Sequence, residues 1–406
     1  MNKQILKISL LCGVGGLLEF YDFILYIIFS DQISKNFFSE INSPSIKGIV
    51  VIAVFSIAYI IRPISGIIIG WFGDTRGRKT SFTMTILIMG ASVFLMGVMP
   101  NYAQIGIAAP LVFVLLRIIQ GFALGGELPS AIVFVFESLE EKGLALGIVF
   151  GLVLSGFVFG NAMSIILRDI FGQYAWRAAF ISGSLIGFIA YYIRSNLTET
   201  TLFKKLSHKE KFPPAIVFNE YFRNTIGAIL CVIPVSFYGV MVSLYIPKYL
   251  INNLHQPIEY VNLLMLYISL FVACCTIFIS WLSDYINYNK IFNYASAIMV
   301  ILAYPAFHLI NGHSQAHLLL GIILLTVTTL PATSLFMRII CEAFPTKIRL
   351  TGVAIGYNFA FALVGGITPL ATEVLIAKFN LILGPTIITV VCGLCGFCAI
   401  PLLSKK

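Results

Sequence analysis

The sequence predicts an all-α membrane protein with about twelve transmembrane helices in two pseudo-symmetric six-helix bundles. Of its 406 residues, 59% are hydrophobic and only 11% are charged, whereas charged residues make up about a quarter of a typical soluble domain. Apolar stretches of about 20 residues, long enough to cross a bilayer, recur along the whole chain. The second half also repeats features of the first, which predicts the two bundles.

The predicted spans are helices, because continuously apolar runs such as residues 86–98 exclude transmembrane β-strands, in which apolar and polar residues alternate. The first apolar run follows Lys3 and Lys7 and resembles a signal peptide. Glu19 and Asp22 interrupt it, however, and no small-residue cleavage site follows, so we count it as the first helix. The twelve spans are centred on Gly16, Ala58, Leu87, Leu115, Leu152, Ile186, Ile233, Leu270, Met299, Ile323, Ala360 and Ile388.

The formal charge of +9 does not predict nucleic-acid binding, because the basic residues concentrate at alternate ends of the spans. Such residues are enriched on the cytoplasmic side of membrane proteins. Placing Arg76, Lys79 and the lysine cluster 204–211 in the cytoplasm gives an even number of spans with both termini cytoplasmic. We expect a multi-pass protein of a bacterial cytoplasmic (inner) membrane. The cysteines lie mostly within apolar spans, where they behave as small hydrophobic residues, and we expect no metal site.

One substantial polar stretch divides the chain near its middle. It predicts an N-terminal six-helix bundle at 1–194, a cytoplasmic linker at 195–222 and a C-terminal bundle at 223–406. Parallel repeats of this kind imply a substrate site between the halves near the membrane midplane, opened alternately to each side by rocking. At an offset of about 205–210 residues, the matching pairs are Trp71 and Trp281, Asp74 and Asp284, Glu137 and Glu342, Lys142 and Lys347, Gly147 and Gly352, Gly151 and Gly356, and Gly160 and Gly365.

The segment 70–79, predicted to form the loop between spans two and three, is the clearest local signature. Its glycines allow helices to approach closely. Asp74 can cap the following helix or pair with a basic residue across the interface between the halves. The second-half loop keeps Asp284 but lacks the glycines and the arginine, so the second latch is expected to be weaker or differently made. The predicted cytoplasmic gate comprises Gly70, Asp74, Gly77, Arg78, Lys79, Glu137, Asp284, Glu342 and Arg349.

Further short motifs are spread along most of the chain. They are Glu19-Phe-Tyr-Asp22-Phe23, Arg62-Pro63, Arg117-x-x-Gln120-Gly121, Gly125-Gly126-Glu127, Trp176-Arg177-x-x-Phe180, Glu199-Thr200-x-x-Phe203 and Glu342-x-Phe344-Pro345-Thr346-x-x-Arg349. With segment 70–79, this pattern resembles the major facilitator superfamily and, within it, the metabolite:proton symporters that carry proline/betaine, shikimate, citrate or 2-oxoglutarate. The resemblance implies transport by alternating access, driven by a proton gradient and without a cofactor.

Ionisable residues within the spans need partners, because a charge at the bilayer centre costs about 2.5–3.5 kcal/mol. Glu19, Asp22 and Tyr26 share one helical face, and Arg117 and Gln120 share another. A carboxylate that faces Arg117 is satisfied when ionised, and its protonation would free the arginine to hold an anionic substrate group. We therefore predict that Glu19, Asp22, Arg117 and Glu127 couple transport to protons. The alternative is that Asp22 and Arg117 form a static interhelical pair.

The predicted substrate cavity is lined by Tyr26, Arg62, Gln120, Tyr238 and Asn358. Two alternatives stay open: the Arg62-Pro63 motif can simply shape the second span, and Tyr238 and Asn358 can serve as hydrogen-bonding core between helices. Glu127 lies about 80° away from the face of Arg117 on an ideal helix, which makes it a second proton or interface residue rather than a direct partner.

The function predicted is proton-coupled import of a small metabolite, an organic acid or zwitterion, by a protein that works as a monomer in the lipid bilayer. An antiporter or exporter of the same fold is the first alternative. A membrane-embedded enzyme or a sensor is the second, although no serine or cysteine with a histidine partner occurs within the spans.

Overall fold

The computed structural model describes residues 3–40, 44–312 and 314–403, without the side chains of residues 4, 44–49, 51, 52 and 55. Helices dominate this part of the chain, in which no β-strand occurs. Twelve of them are long: α1 Lys3–Ile28, α2 Pro44–Arg76, α3 Arg78–Val98, α4 Ala108–Ser138, α5 Lys142–Phe171, α6 Ala175–Ser195, α7 Phe222–Asn252, α8 Ile258–Leu282, α9 Tyr288–Ile310, α10 Gln315–Glu342, α11 Arg349–Lys378 and α12 Leu383–Leu402.

These helices confirm the predicted fold class. By length and apolar composition the described residues form eleven candidate membrane spans, one of which, Lys142–Ser195, is 54 residues long. That stretch contains both α5 and α6, joined by the tight turn Gly172–Tyr174. Segment 70–79 is more helical than predicted, because α2 continues to Arg76 and only Gly77 separates it from α3.

Helix α7 is irregular. An α-helical part, Phe222–Phe237, leads into the π-helical turns Tyr238–Tyr245, and Ile246–Asn252 completes the helix. Pro234 lies inside the first part, where it removes a backbone hydrogen bond and crowds the preceding turn. π-helical turns are rare, and in this part of α7 the side chains do not follow the 3.6-residue periodicity of a regular α-helix.

The two halves meet along two helix pairs, α5 with α8 and α2 with α11. Gly147 and Gly151 of α5 lie against α8, and a methyl group added at Gly151 would be 2.8 Å from Cγ1 of Ile277. Gly156 and Gly160 instead pack against α1 of the same half. Only the first of the two small-residue steps in α5 therefore serves the interface between the halves.

The α2–α11 contact depends on glycine in the same way. A methyl group at Gly70 would lie 2.7 Å from Cα of Thr351. Because the obstructing atom belongs to the backbone, it cannot move aside as a flexible side chain would. Glycine at this position lets the carboxyl end of α2 touch the first turn of α11.

The linker between α6 and α7 lies against the end of the molecule at which α2 and α3 meet, which we call the latch side. Two short helices form within it, Thr201–Lys204 and Pro213–Asn219. The indole Nε1 of Trp71 on α2 donates a hydrogen bond to the carbonyl of Lys211, at 3.0 Å. The linker is thus attached to the N-terminal half.

The same linker is attached to the C-terminal half by an ion pair at its surface. Nζ of Lys347 lies 2.7 Å from Oε1 of Glu210. The hydrogen bond from Lys347 lowers the pKa of the Glu210 carboxyl below its ordinary value. The contribution of this pair to stability is therefore present at neutral pH and is lost as the pH falls through that lowered pKa. Exposed pairs of this kind are screened by solvent and contribute little.

Gly77 should not tolerate a side chain. Its φ of +127° and ψ of 150° lie in a region that essentially only glycine occupies, where strain costs about 1–3 kcal/mol. A methyl group there would also lie 2.3 Å from Oε2 of Glu199. Gly77→Ala should therefore lower the thermal unfolding temperature measured in detergent. The matched control is Gly366→Ala on α11, where a methyl group would meet no atom within 4 Å. Equal unfolding temperatures for the two variants would contradict this account.

Candidate functional site

A buried charge cluster on the latch side, which we call the first latch, joins the two halves. Nη1 of Arg78 lies 2.5 Å from Oδ1 of Asp74, and Nε of Arg78 lies 3.2 Å from Oε2 of Glu137. Arg349 of the C-terminal half supplies the second guanidinium, with Nη1 2.8 Å from Oε1 of Glu137. Nη2 of Arg78 also donates to the carbonyl of Thr346 across the interface, at 2.5 Å. Two carboxylates and two guanidinium groups thus form a neutral cluster.

Asp74 also caps the first turn of α11. Its carboxylate accepts hydrogen bonds from the backbone N–H groups of Leu350 and Thr351, at 3.2 and 2.8 Å, and from the Thr351 hydroxyl at 2.6 Å. A helix N-terminus leaves such N–H groups without intrahelical partners and favours negative charge. The expectation that Asp74 caps the following helix is wrong: α3 begins after Gly77 without a side-chain cap. Asp74 caps a helix of the other half instead.

The linker covers the first latch. The Thr200 hydroxyl donates to Oε2 of Glu137 at 2.9 Å. Lys79, which the sequence placed in the gate, contributes its backbone N–H, which lies 3.2 Å from Oε2 of Glu199. These contacts extend the gate beyond the two bundles and into the linker.

A second latch repeats the capping arrangement with the halves exchanged. Oδ1 of Asp284, just after α8, accepts a hydrogen bond from the backbone N–H of Gly143 at 2.9 Å, and Oδ2 accepts one from Leu144 at 3.1 Å. Both N–H groups belong to the first turn of α5. Each half therefore provides a carboxylate that caps a helix of the other half.

The arginine of the second latch comes from α10. Nη1 of Arg338 lies 2.7 Å from Oδ1 of Asp284, and its Nε lies 3.2 Å from Oε1 of Glu342. These three side chains are 17–31% exposed, whereas Asp74, Arg78 and Glu137 are 0% exposed. The second latch is thus differently made and more accessible to water. Arg338 was not predicted to belong to the gate, although its position four residues before Glu342 is a signal for an ion pair within one helix.

Near the middle of the helices, Glu19 of α1 pairs with Arg62 of α2. The distance from Nη1 to Oε1 is 2.9 Å and both side chains are fully buried. The geometry is that of a charge contact, because neither Glu19 oxygen receives an aligned hydrogen bond. Nε of Arg62 donates to Oδ1 of Asn358 on α11 at 3.1 Å, and Nδ2 of Asn358 donates to the carbonyl of Gly125 on α4 at 2.6 Å. Four helices from both halves meet at this pair.

Asp22 lies one turn after Glu19 on α1 and pairs with Arg117 of α4. The sequence had suggested this contact. Nη1 of Arg117 lies 2.9 Å from Oδ2 of Asp22, and Nε2 of Gln120 donates to the same oxygen at 2.7 Å. The ring of Tyr26 lies 3.9 Å from Cζ of Arg117. Oδ1 of Asp22 and Nη2 of Arg117 are buried and have no hydrogen-bond partner in the described part of the chain.

A small cavity lies beside Asp22 inside the N-terminal half. Its volume is about 10 Å³, the lower limit for holding one water molecule. Tyr21 and Asp22 are its polar lining residues, among Leu18, Met89, Gly90, Val93, Ala179, Phe180 and Gly183. Asp22 thus has a carboxylate oxygen without a partner in the described part of the chain, and the same residue lines a water-sized space.

Glu127 belongs to a third pair, separate from the other two. Its Oε1 lies 2.7 Å from Nη1 of Arg194, and its Oε2 accepts the Thr85 hydroxyl at 2.7 Å. Cζ of Arg194 also lies 3.5 Å from the ring of Phe82. Arg194 is fully buried, although it lies in the last turn of α6. A role for Glu127 in proton coupling stays a prediction.

Tyr238 lies apart from these pairs. It is buried in the π-helical part of α7, and none of its described contacts reaches Glu19, Asp22 or Arg62. Further along α7, the Tyr245 hydroxyl donates to Oε1 of Glu373 at 2.6 Å, within the C-terminal half. The structure therefore brings Arg62 and Asn358 together, and Tyr26 with Gln120, but it leaves Tyr238 outside both groups.

Two bundles of apolar helices, joined by reciprocal helix caps and containing buried acid–arginine pairs, define a two-lobed multi-pass membrane transporter. The profile of the Major Facilitator Superfamily matches residues 12–369. The chain belongs to that family, and it is a transporter rather than an enzyme, so the predicted superfamily is confirmed.

Relatives of known name agree with this assignment. The proline/betaine transporter of Escherichia coli strain K12 is 30% identical over 406 residues, which cover 95% of this chain and 80% of that protein. A putative proline/betaine transporter of Staphylococcus haemolyticus strain JCSC1435 is 29% identical over 405 residues, covering 96% and 86%. Among solved structures, the proton:xylose symporter XylE bound to 6-bromo-6-deoxy-D-glucose has a TM-score of 0.79 at 16% identity, covering 98% of this chain and 94% of that one.

Proposed function

We propose that this protein is a proton-coupled symporter that imports a small zwitterion or organic acid. The observation that carries the proposal is the group formed by Asp22, Arg117 and Gln120. It places a buried acid–base pair within the membrane helices, with Oδ1 of the carboxylate and Nη2 of the guanidinium lacking partners in the described part of the chain. A polar group left unsatisfied at such a depth is expensive, and a proton and an anion would satisfy these two.

Protonation of Asp22 links the two binding events. A proton on Oδ1 would neutralise the carboxylate, and Arg117 would lose its counter-charge while keeping its hydrogen bond to Oε1 of Gln120, at 2.6 Å. A substrate carboxylate could then restore the charge balance through the strong hydrogen bonds that arginine forms with carboxylates. Proton binding would therefore favour substrate binding, and the substrate would favour the proton by the same factor.

The names of the relatives support a zwitterionic substrate. The Escherichia coli relative is a proline/betaine transporter, and both compounds combine one carboxylate with one cationic nitrogen. We extend this substrate class to the present chain because its buried charged residues include Arg117, which can bind a carboxylate, and Glu19, which can bind a cation.

We further propose that the latch side faces the cytoplasm of a bacterial cell, with both termini on that side, and that the protein works as a monomer in the inner membrane. Arg76, Lys79 and the linker lysines lie at this end, in agreement with the enrichment of basic residues on cytoplasmic loops. With both latches formed, the described conformation is then closed towards the cytoplasm.

Transport by reconstituted protein tests the proposal. A thermal-shift screen over carboxylates, amino acids and betaines selects the probe, and proteoliposomes then receive an inward proton gradient. Wild type should accumulate the radiolabelled probe above equilibrium. Asp22→Asn, which imitates the protonated carboxyl, should lose at least about nine-tenths of this accumulation, because its proton site is gone, and should keep exchange of external for internal substrate.

The matched control is Asp31→Asn, since Asp31 is exposed on the short helix Ser30–Phe37 and should behave as wild type. Uptake by wild type that is indifferent to the proton gradient would refute symport. If an outward substrate gradient drives exchange faster than protons drive uptake, the antiporter alternative is correct.

A further inference from the structure

The guanidinium of Arg62 lies among three aromatic rings contributed by both halves. Its Cζ is 5.8 Å from the ring centre of Tyr59 on α2, and 5.4 Å from the ring centres of both Tyr357 and Phe361 on α11. All three distances fall within the range of cation–π attraction, about 6 Å. The residues are buried, with Arg62 and Tyr357 at 0% exposure.

The rings are held in place by their neighbours. Tyr59 stacks on Phe23 with ring centres 5.2 Å apart, and the centres of Tyr357 and Phe361 are 4.5 Å apart. A cation at this position therefore meets fixed aromatic faces. Pre-organised rings give up little conformational freedom when a ligand binds between them.

The remaining side of this site is the carboxylate of Glu19. It attracts the guanidinium at 2.9 Å without receiving an aligned hydrogen bond from it. The site thus provides negative charge and aromatic faces to the cation that it surrounds. Aromatic cages with this chemistry recognise quaternary ammonium groups.

We propose that Tyr59, Tyr357, Phe361 and Glu19 bind the methylated ammonium group of the substrate, and that Arg62 occupies this site as a tethered cation until the substrate displaces it. This inference rests on the proposed function and deepens it, because it specifies a betaine-like zwitterion. Arg62 would keep its hydrogen bond from Nε to Asn358 while its charged end moves out of the cage.

The position of Arg117 fits the other end of such a substrate. Glu19 and Asp22 are three residues apart on α1, and side chains at this spacing have Cβ atoms about 5–6 Å apart. A short zwitterion can therefore place its cation at Glu19 and its carboxylate at Arg117, beside Asp22. Because the cage needs Tyr59 from one half and Tyr357 from the other, the cation would also help to hold the halves together.

A pair of isosteres tests the proposal on the wild-type protein. Glycine betaine and 3,3-dimethylbutyrate have nearly the same shape and the same carboxylate, but the second carries carbon in place of the cationic nitrogen. We expect purified protein in detergent to bind glycine betaine at least about tenfold more tightly, as measured by equilibrium binding near neutral pH. Equal affinity for the two compounds would overturn the proposal.

Two variants and a matched control locate the effect. Phe361→Leu should weaken glycine betaine binding about tenfold, whereas Phe359→Leu, the same change two residues away on α11, should leave it unchanged. Arg62→Gln removes the tethered cation and should tighten the binding of tetramethylammonium about tenfold. Equal effects of the two leucine variants, or tetramethylammonium binding that Arg62→Gln leaves unchanged, would contradict the cage.

The outcome separates this inference from the proposed symport. If glycine betaine binds in a Phe361-dependent manner but a proton gradient drives no uptake, the cage stands and symport fails. If a proton gradient drives uptake of a dicarboxylate such as succinate while glycine betaine neither binds nor competes, symport stands and the cage fails.

Discussion

Asp74→Asn should open the latch side of the protein, whereas the equivalent change in the other half, Asp284→Asn, should leave it largely closed. Asp74 is fully buried, pairs with Arg78 and caps the first turn of α11. Neutralising Asp74 weakens its three hydrogen bonds to α11 of the other half, and a hydrogen bond to a charged group contributes about 1.5–3 kcal/mol. At about 1.4 kcal/mol per factor of ten, the loss of one such bond shifts the ratio of closed to open forms at least about tenfold.

Asp284 makes the same kind of cap, but its partner Arg338 is 18% exposed and water reaches the pair. Ion pairs with access to water contribute at most about 1 kcal/mol. The two aspartates thus provide a matched comparison within one chain. The difference between the variants compares the buried first latch with the water-accessible second latch, because the chemical change is the same in both.

Cys341 is a native reporter for this experiment. It is fully buried near the first latch, and its carbonyl accepts a hydrogen bond from Nε of Arg349 at 3.0 Å. In Asp74→Asn, a charged maleimide should label Cys341, as read by mass spectrometry, while in Asp284→Asn and wild type the residue should stay protected. Protection of Cys341 in both variants, or equal labelling in both, would show that the first latch does not hold the halves together.

Arg117→Gln should destabilise the protein severely, and the addition of Asp22→Asn should restore stability without restoring proton-driven accumulation. The single change leaves the Asp22 carboxylate buried with Gln120 as its remaining partner, at a cost of about 3–5 kcal/mol. The double change removes that orphan charge and leaves neutral amides of similar size. Thermal unfolding in detergent should therefore show a large loss in the single variant and a near-complete recovery in the double variant.

Gradient-driven uptake by the double variant then separates a coupling pair from a static one. A static pair can be replaced by neutral groups without loss of function, so a stable double variant that still accumulates substrate would disprove the coupling role. Arg76→Gln is the control, because Arg76 is exposed at the end of α2 and should affect neither stability nor uptake.

The fold was predictable from sequence because lipid imposes a simple rule: a spanning segment must be apolar, helical and about 20 residues long. The irregular course of α7 was not. Pro234 is a visible helix disruptor, but the sequence does not reveal that the helix continues through π-helical turns from Tyr238 to Tyr245. Tyr238, which was predicted to line the substrate cavity, lies outside both central groups.

The central pairs were predictable only in part. The spacing of Glu19 and Asp22 on one face, with Arg117 opposite, led to the contact between Asp22 and Arg117. Helical periodicity does not reveal which arginine pairs with each of the other carboxylates, because the pairing depends on how neighbouring helices are rotated about their axes. Glu19 selects Arg62, and Glu127 selects Arg194, a residue whose position near the end of α6 suggested contact with water.

The latches show the same limit. Asp74 and Asp284 stood out as a repeated pair, but their targets are backbone N–H groups in the opposite half, and backbone groups leave no mark in the sequence. The aromatic cage around Arg62 was missed for a related reason. Tyr59, Tyr357 and Phe361 lie in apolar spans rich in aromatic residues, and only the tertiary fold distinguishes them from core.

The reciprocal caps also bear on how the chain is completed during synthesis. Proteins emerge from the ribosome amino end first, and the cap of α5 joins Gly143 to Asp284, 141 residues later. When only the first bundle has been synthesised, water must accept the hydrogen bonds of the N–H groups at the start of α5, because Asp284 has not yet been translated. The first turn of α5 therefore receives its cap only after α8 and Asp284 have been translated.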